Sequence, residues 1–235
     1  RPRTHRWDES LFWNVYYVKG AFLDADKAFE VINGMRTVEL RVLHKAINTT
    51  VLARALARHP AIGVRCGVVD GNENFALRER QMFLGLPAPL FTIDFDTDAG
   101  RGIGRHAFQR FFDCLEPAFG LQVTLGQSNT VVVCPALTSH SELSEQALRD
   151  ADITPTTIRI SVGDEDPRSL LAHLMQAATI ALEPEAPGFV QHFPSPAEVD
   201  ALYESVYVDV HRRYAASRPR MQPLSFRSKN PATKR

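Results

Sequence analysis

Thr157-Ile158-Arg159-Ile160-Ser161-Val162-Gly163-Asp164-Glu165-Asp166-Pro167 is the stretch on which the fold turns. From Thr157 to Val162, apolar Ile158, Ile160 and Val162 alternate with Arg159 and Ser161, the period of a strand half-buried on one side. Asp166-Pro167 is helix-start chemistry, an acid able to cap backbone N–H groups followed by a residue whose own N–H is not needed there. Behind it Leu170, Leu171, Leu174, Ala178 and Leu182 fall on one helical face and predict a buried stripe. A strand leading through a short turn into an amphipathic helix is a building unit of α/β folds.

Working outward, Glu183 to Pro196 holds four prolines and a glycine and reads as a connector. A final helix is expected from about Ala197 to Tyr214, with Tyr203, Tyr207, Val210 and Tyr214 on one face for packing or an oligomer contact. Arg218 to Arg235 is polar, basic and proline-broken, which predicts disorder. Upstream, strands are expected at Ile62 to Val69, Pro89 to Phe95, Leu121 to Thr124 and Thr130 to Cys134. Helices are expected from Asp24 to Gly34, from Val38 to His59-Pro60, over Leu77 to Met82, Ala107 to Leu115 and Leu143 to Arg149. Strands alternating with helices predict one sheet with helices mostly on one face, an α/β sandwich.

Composition narrows the function classes. The chain has 235 residues, 44% hydrophobic and 23% charged, which suits an ordinary globular core. Basic and acidic residues balance at 27 each, which excludes a uniformly basic nucleic-acid binder. The last 24 residues carry eight Lys and Arg and no acid, so the rest carries 19 basic residues against 27 acidic ones. No apolar run is long enough to cross a bilayer. Cys66, Cys114 and Cys134 are too widely spaced for a zinc knuckle or a disulfide framework, and a cytoplasmic location is expected. The chain starts at Arg1 without Met, so it is expected to begin inside a longer product.

Few constellations carry chemistry on spacing alone. Gly100, Gly102 and Gly104 do not complete a dinucleotide fingerprint, since Arg105 stands where its third glycine is needed, and they read as a connector. The histidines, His140 included, show no metal-ligand spacing, and no Gly-x-Ser-x-Gly elbow is present. Arg159 stands out. A guanidinium in a half-buried strand needs an anion, and two readings stay open: a salt bridge to Asp164 or Glu165 of the same chain, or a grip on a ligand carboxylate through its planar fork.

Three motifs in order carry a resemblance: Thr124-Leu125-Gly126, Pro135-Ala136-Leu137-Thr138-Ser139-His140 and Arg159-Ile160-Ser161-Val162-Gly163-Asp164-Glu165-Asp166. Asn33-Gly34-Met35-Arg36-Thr37-Val38-Glu39-Leu40-Arg41, then His44, Asn48 and His59-Pro60, extend it upstream. Over roughly residues 11 to 182 the chain resembles the C-terminal domain of the Cys/Met-metabolism (trans-sulfuration) family of pyridoxal-phosphate enzymes. That family includes cystathionine γ-synthase, cystathionine lyases, methionine γ-lyase and O-acetylhomoserine sulfhydrylase.

The resemblance implies a fold-type I small domain, pyridoxal 5'-phosphate as cofactor, and β- or γ-elimination or γ-replacement on cystathionine- or homoserine-ester-type substrates. It implies that Arg159 clamps the substrate α-carboxylate, helped by the Thr124 hydroxyl and the backbone at Leu125. Thr124 stands where the family has serine, and Asn129 where it often has an acid. The Schiff-base lysine of the family sits in a Ser-x-Thr-Lys motif. Only Ala232-Thr233-Lys234 echoes it, read here as chance, and Lys19, Lys27 and Lys45 lack that context. No catalytic residue is therefore expected in this chain.

The expected organisation is 1–60 as the end of a large domain with inter-domain helices, 61–190 as the C-terminal α/β domain, and 191–235 as a helical extension with a basic tail. The implied partners are an amino-acid substrate, a large cofactor-binding domain or chain that mainly binds the pyridoxal phosphate, and further copies of the chain, with no nucleic acid and no membrane. The alternative reading is a non-catalytic subunit or interaction module that keeps the small-domain fold.

Overall fold

The computed structural model describes residues 9–20, 22–95, 100 and 102–218. The chain divides into two compact units, residues 1–42 and 43–235. In the first, a π-helical segment Phe12–Tyr17 brings aromatic rings together, with Trp13 5.2 Å from both Phe12 and Tyr17. Helix α1 (Ala25–Leu56) follows. The Asp24 carboxylate accepts the Lys27 N–H at 2.8 Å, the expected N-cap.

The expected break at Gly34 is corrected: α1 runs through it. A glycine ends a helix by taking a left-handed backbone. Gly34 does not, and its carbonyl accepts an Arg41 guanidinium at 2.8 Å.

The second unit is built on a five-stranded sheet, flanked by the remaining helices. In chain order these are β1 (Gly63–Arg65), α2 (Phe75–Gln81), β2 (Leu90–Asp94), α3 (Arg105–Asp113), β3 (Gly120–Leu121), β4 (Val131–Val133), α4 (Glu145–Asp150), β5 (Ile158–Ser161), α5 (Pro167–Ala181) and α6 (Pro196–Ser217). The strand order is β1-β2-β5-β4-β3, antiparallel except for the β3–β4 pair. The strand expected over Ile62 to Val69 keeps only three residues. At Cys66 the chain turns away, its carbonyl accepting the Val69 N–H at 3.0 Å. Likewise the strand expected at Leu121 to Thr124 stops at Leu121, where Gln122 N–H turns back onto the Gly120 carbonyl. Gly104 caps α3, and the connector before it lies partly outside the described residues.

Strand alternation separates the two faces of the sheet. Val64, Phe91, Ile93, Val132, Ile158 and Ile160 turn one way, into a core shared with Phe108 and Phe111 of α3 and the predicted stripe of α5. Leu170, Leu171, Leu174, Ala178 and Leu182 are all buried there. Each such large side chain contributes about 1.5–3 kcal/mol. As expected, Asp166 caps α5, accepting the Arg168 N–H at 2.9 Å. A second apolar cluster joins Leu43, Ile47 and Val51 of α1 to Val206 and Val210 of α6. On α6 the expected tyrosine stripe is therefore offset. Val199, Val206 and Val210 are buried, Tyr203 and Tyr214 lie beside them, and Tyr207 is exposed against His211. No helix of the described residues is long and apolar enough to cross a membrane. The basic tail from residue 219 lies outside the described residues.

Beside the core, His59 is buried with both ring nitrogens engaged. Nε2–H donates to the Phe189 carbonyl at 2.9 Å, and Nδ1 accepts the Ala61 N–H at 3.1 Å. A second ring proton would point at that N–H. Burial, the largest influence, pushes the His59 pKa below its usual value, and His192 nearby adds to this. The unfolded chain thus binds a proton that the folded one resists. The stability that burying neutral His59 contributes is expected to be fully present above about pH 6.5 and to be lost as the pH drops below it. A ring titration of His59 followed by NMR should show a midpoint below that of an unfolded peptide; a higher midpoint would contradict this.

Candidate functional site

The face of the sheet opposite the core carries polar groups at chosen positions. The register sets Arg65 beside Thr92, Thr92 beside Arg159, and Arg159 beside Val133. One row of side chains therefore holds two guanidiniums separated by a threonine. The first is satisfied: Arg65 pairs with the buried Asp94 carboxylate at 3.3 Å and also donates to the Asp152 carbonyl. Arg159 is half-buried and forms no ion pair or side-chain hydrogen bond among the described residues.

The acids weighed against Arg159 in the sequence are occupied or turned elsewhere. Both carboxylate oxygens of Glu165 go to Thr130, one accepting its N–H at 2.6 Å and the other its hydroxyl at 2.8 Å. Asp164 makes no ion pair, and its buried Oδ1 has no hydrogen-bond partner among the described residues. The internal salt bridge expected as one reading is thereby corrected. Glu165 is spent on its junction with Thr130, and Arg159 has no acid partner among the described residues.

Strand β5 also holds the Thr124-Leu125-Gly126 turn. Ser161, two residues past Arg159 on the same strand face, accepts the Gly126 N–H at 3.2 Å. The turn is thus tied to the polar face that carries Arg159. Thr124 is half-buried and Leu125 is 53% exposed, leaving the turn open on its outer side. Behind it, Asp164 N–H donates to the Ser128 carbonyl at 2.6 Å, and Gly163 N–H donates to the Thr130 hydroxyl at 2.9 Å. Gly163 is required by the closeness of this approach. A Cβ there would stand 2.3 Å from the Ser128 carbonyl oxygen.

Helix α1 holds the two loops in register. His44 Nε2–H donates to the Asp164 carbonyl at 2.9 Å. The Asn48 amide donates to the carbonyls of Gly163 and Glu165 at 3.1 and 2.8 Å. Lys45, only 7% exposed, donates to the carbonyls of Gly126 at 3.4 Å and of Gln127. His44 and Asn48 were legible as motif residues. Lys45 was not, since its partners are carbonyls about 80 residues further along the chain. Of the motif after β4, Ser139 hydrogen-bonds its neighbour His140 at 2.8 Å.

In chemical terms the face offers a half-buried guanidinium with no acid partner among the described residues, and on the same strand the serine that ties down a hydroxyl-bearing turn. Free Cys66 and Cys134 are buried, and burial raises both thiols above their usual range, so neither offers a nucleophile.

A family model described as "Cys/Met metabolism PLP-dependent enzyme" matches residues 3–179. The chain is 31% identical over 159 residues to L-methionine gamma-lyase of Pseudomonas putida, covering 67% of this chain and 38% of that protein. It is 27% identical over 161 residues to O-succinylhomoserine sulfhydrylase of Mycobacterium tuberculosis, again covering 67% and 38%. Among solved structures, a cystathionine gamma lyase of Micromonospora echinospora superposes with a TM-score of 0.62 at 28% identity, over 76% of this chain and 44% of that one. A putative O-acetylhomoserine (thiol)-lyase of Campylobacter jejuni, which carries a pyridoxyl-lysine phosphate, superposes with a TM-score of 0.61 at 28% identity, over 74% and 40%. The chain spans about two fifths of the length of these relatives.

The lysines can be tested against the anchoring that such a cofactor needs. Lys19 and Lys27 are exposed, and Lys27 pairs with Glu30 at 3.1 Å. Lys45 is committed to two carbonyls. The described lysines do not fit the anchor, and Lys229 and Lys234 lie outside the described residues.

Proposed function

Since the chain belongs to the Cys/Met metabolism family of PLP-dependent enzymes, we propose that it is the C-terminal part of such an enzyme and supplies the grip on the α-carboxylate of an amino-acid substrate. The reaction class is trans-sulfuration: β- or γ-elimination, or γ-replacement, on cystathionine- or homoserine-ester-type substrates. Arg159 takes the carboxylate through two parallel hydrogen bonds, and Thr124 and the Leu125 backbone orient it. A lysine-bearing segment outside this chain holds the cofactor, and copies of the assembly associate as a homo-oligomer.

The observation that carries this reading is the contrast within one row of the sheet. Arg65 is neutralised by Asp94, whereas Arg159, half-buried two strands away, has no acid partner among the described residues. Leaving a guanidinium without a counter-charge in such a place is unfavourable, and a bound carboxylate removes the deficit. The names of the relatives, methionine gamma-lyase and O-succinylhomoserine sulfhydrylase, support the substrate class.

The test joins this chain to a lysine-bearing large domain of the family. A charge-assisted pair contributes about 1.5–3 kcal/mol, so Arg159→Ala should raise KM about 10- to 150-fold while the cofactor absorbance persists. An unchanged KM removes Arg159 from the site.

A further inference from the structure

A cavity of about 570 Å³ lies between α1, α2 and α6, with neither Arg159 nor the 124–126 turn in its wall. One side of it, α6, lies beyond residue 179, the last residue matched by the family model. The matched segment alone therefore does not close this cavity.

Its charged residues fall into two groups. In the first, Glu79 bridges Arg78 at 2.8 Å and Arg213 at 3.1 Å, and Asp209 accepts the Arg213 Nε–H at 2.9 Å. Arg78 also donates to the carbonyls of Gly67 and Gly85. Burial draws the Glu79 carboxyl upward, but the two guanidiniums outweigh it and hold the group below its usual range. These four charges neutralise one another and pin α6 to α2.

The second group is uncommitted. Arg54 is half-buried and spends only Nε–H, on the Val68 carbonyl at 3.0 Å. Its terminal nitrogens have no partner among the described residues, and neither does the Arg212 guanidinium at the rim. Glu204 is the remaining acid of the wall. Two open guanidiniums against one carboxylate leave the cavity with a single surplus positive charge. A planar fork with free terminal N–H groups matches a carboxylate by geometry, and Glu204 disfavours ligands with several negative charges.

We propose that this cavity is a second binding site, for a small molecule bearing one carboxylate, with Arg54 as its anchor and Arg212 closing the rim. The site is independent of the reading of Arg159. The probe is sodium acetate, titrated into the Arg159→Gln chain at constant ionic strength, with inorganic phosphate as the second arm. Backbone amide resonances of Val68 and Gly85 report the cavity. Acetate should shift them saturably in the millimolar range. Arg54→Gln should weaken acetate about tenfold or more, and Arg54→Lys, which keeps charge without the fork, should weaken it less. Arg212→Gln, at an exposed position where folding is not at risk, should also weaken it. Circular dichroism of each variant separates lost binding from lost fold. A linear, non-saturable response overturns the site, as does unchanged affinity in folded Arg54→Gln and Arg212→Gln. Saturable binding of phosphate without acetate overturns the carboxylate assignment.

Discussion

Gly163→Ala should lower folding stability by about 3 kcal/mol, the upper part of the range for overpacking a closed site. The added methyl would meet the Ser128 carbonyl oxygen at 2.3 Å and the Asn129 carbonyl carbon at 2.5 Å. Both are backbone atoms, so no rotamer change relieves the clash. The backbone of Gly163 is not left-handed, which makes the constraint one of space alone. Separating the strands of backbone would also stretch the bonds from Asp164 to Ser128 and from Gly163 to Thr130. For a unit of this size each kcal/mol shifts the midpoint by about 2–4 °C. Thermal unfolding should therefore show a fall of about 6–12 °C, and an unchanged midpoint would mean that the junction yields at no cost.

Thr130→Val should cost a similar amount through a different cause. The hydroxyl of fully buried Thr130 accepts from Gly163 N–H and donates to the Glu165 carboxylate. Valine keeps the volume and removes both bonds. One buried N–H and one carboxylate oxygen are then left without that partner, each costing about 1–3 kcal/mol, the charged group more. Urea unfolding should register a loss of about 3 kcal/mol, and Thr130→Ser, which restores the hydroxyl, should recover most of it. Equal stability of the valine and serine variants would show that the hydroxyl does not hold the junction.

The two variants act on residues whose roles differ in how readily the sequence reveals them. The strand around Arg159 and the helix after Asp166-Pro167 were legible, because alternation, capping and an apolar stripe are local patterns. The continuity of α1 through Gly34 was not, because glycine permits a helix end without enforcing one. At the site, the resemblance picked out Arg159, Thr124, His44 and Asn48, but the pairing of Glu165 with Thr130 was hidden. Proximity of an acid in sequence suggested a salt bridge to Arg159, whereas the register of β5 against the loop before β4 turned that acid to a threonine instead. The cavity charges were equally hidden, since Glu79 and Arg213 meet across 134 positions of chain.

The fastening of the Thr124-Leu125-Gly126 turn has a temporal corollary. Its hydrogen bonds reach back 81 residues to Lys45 and forward 35 residues to Ser161. During synthesis the turn emerges well before the segment that fastens it, and closing loops of that length is entropically slow. Newly made chain therefore cannot fasten the turn until Ser161 has followed it off the ribosome, 35 residues later.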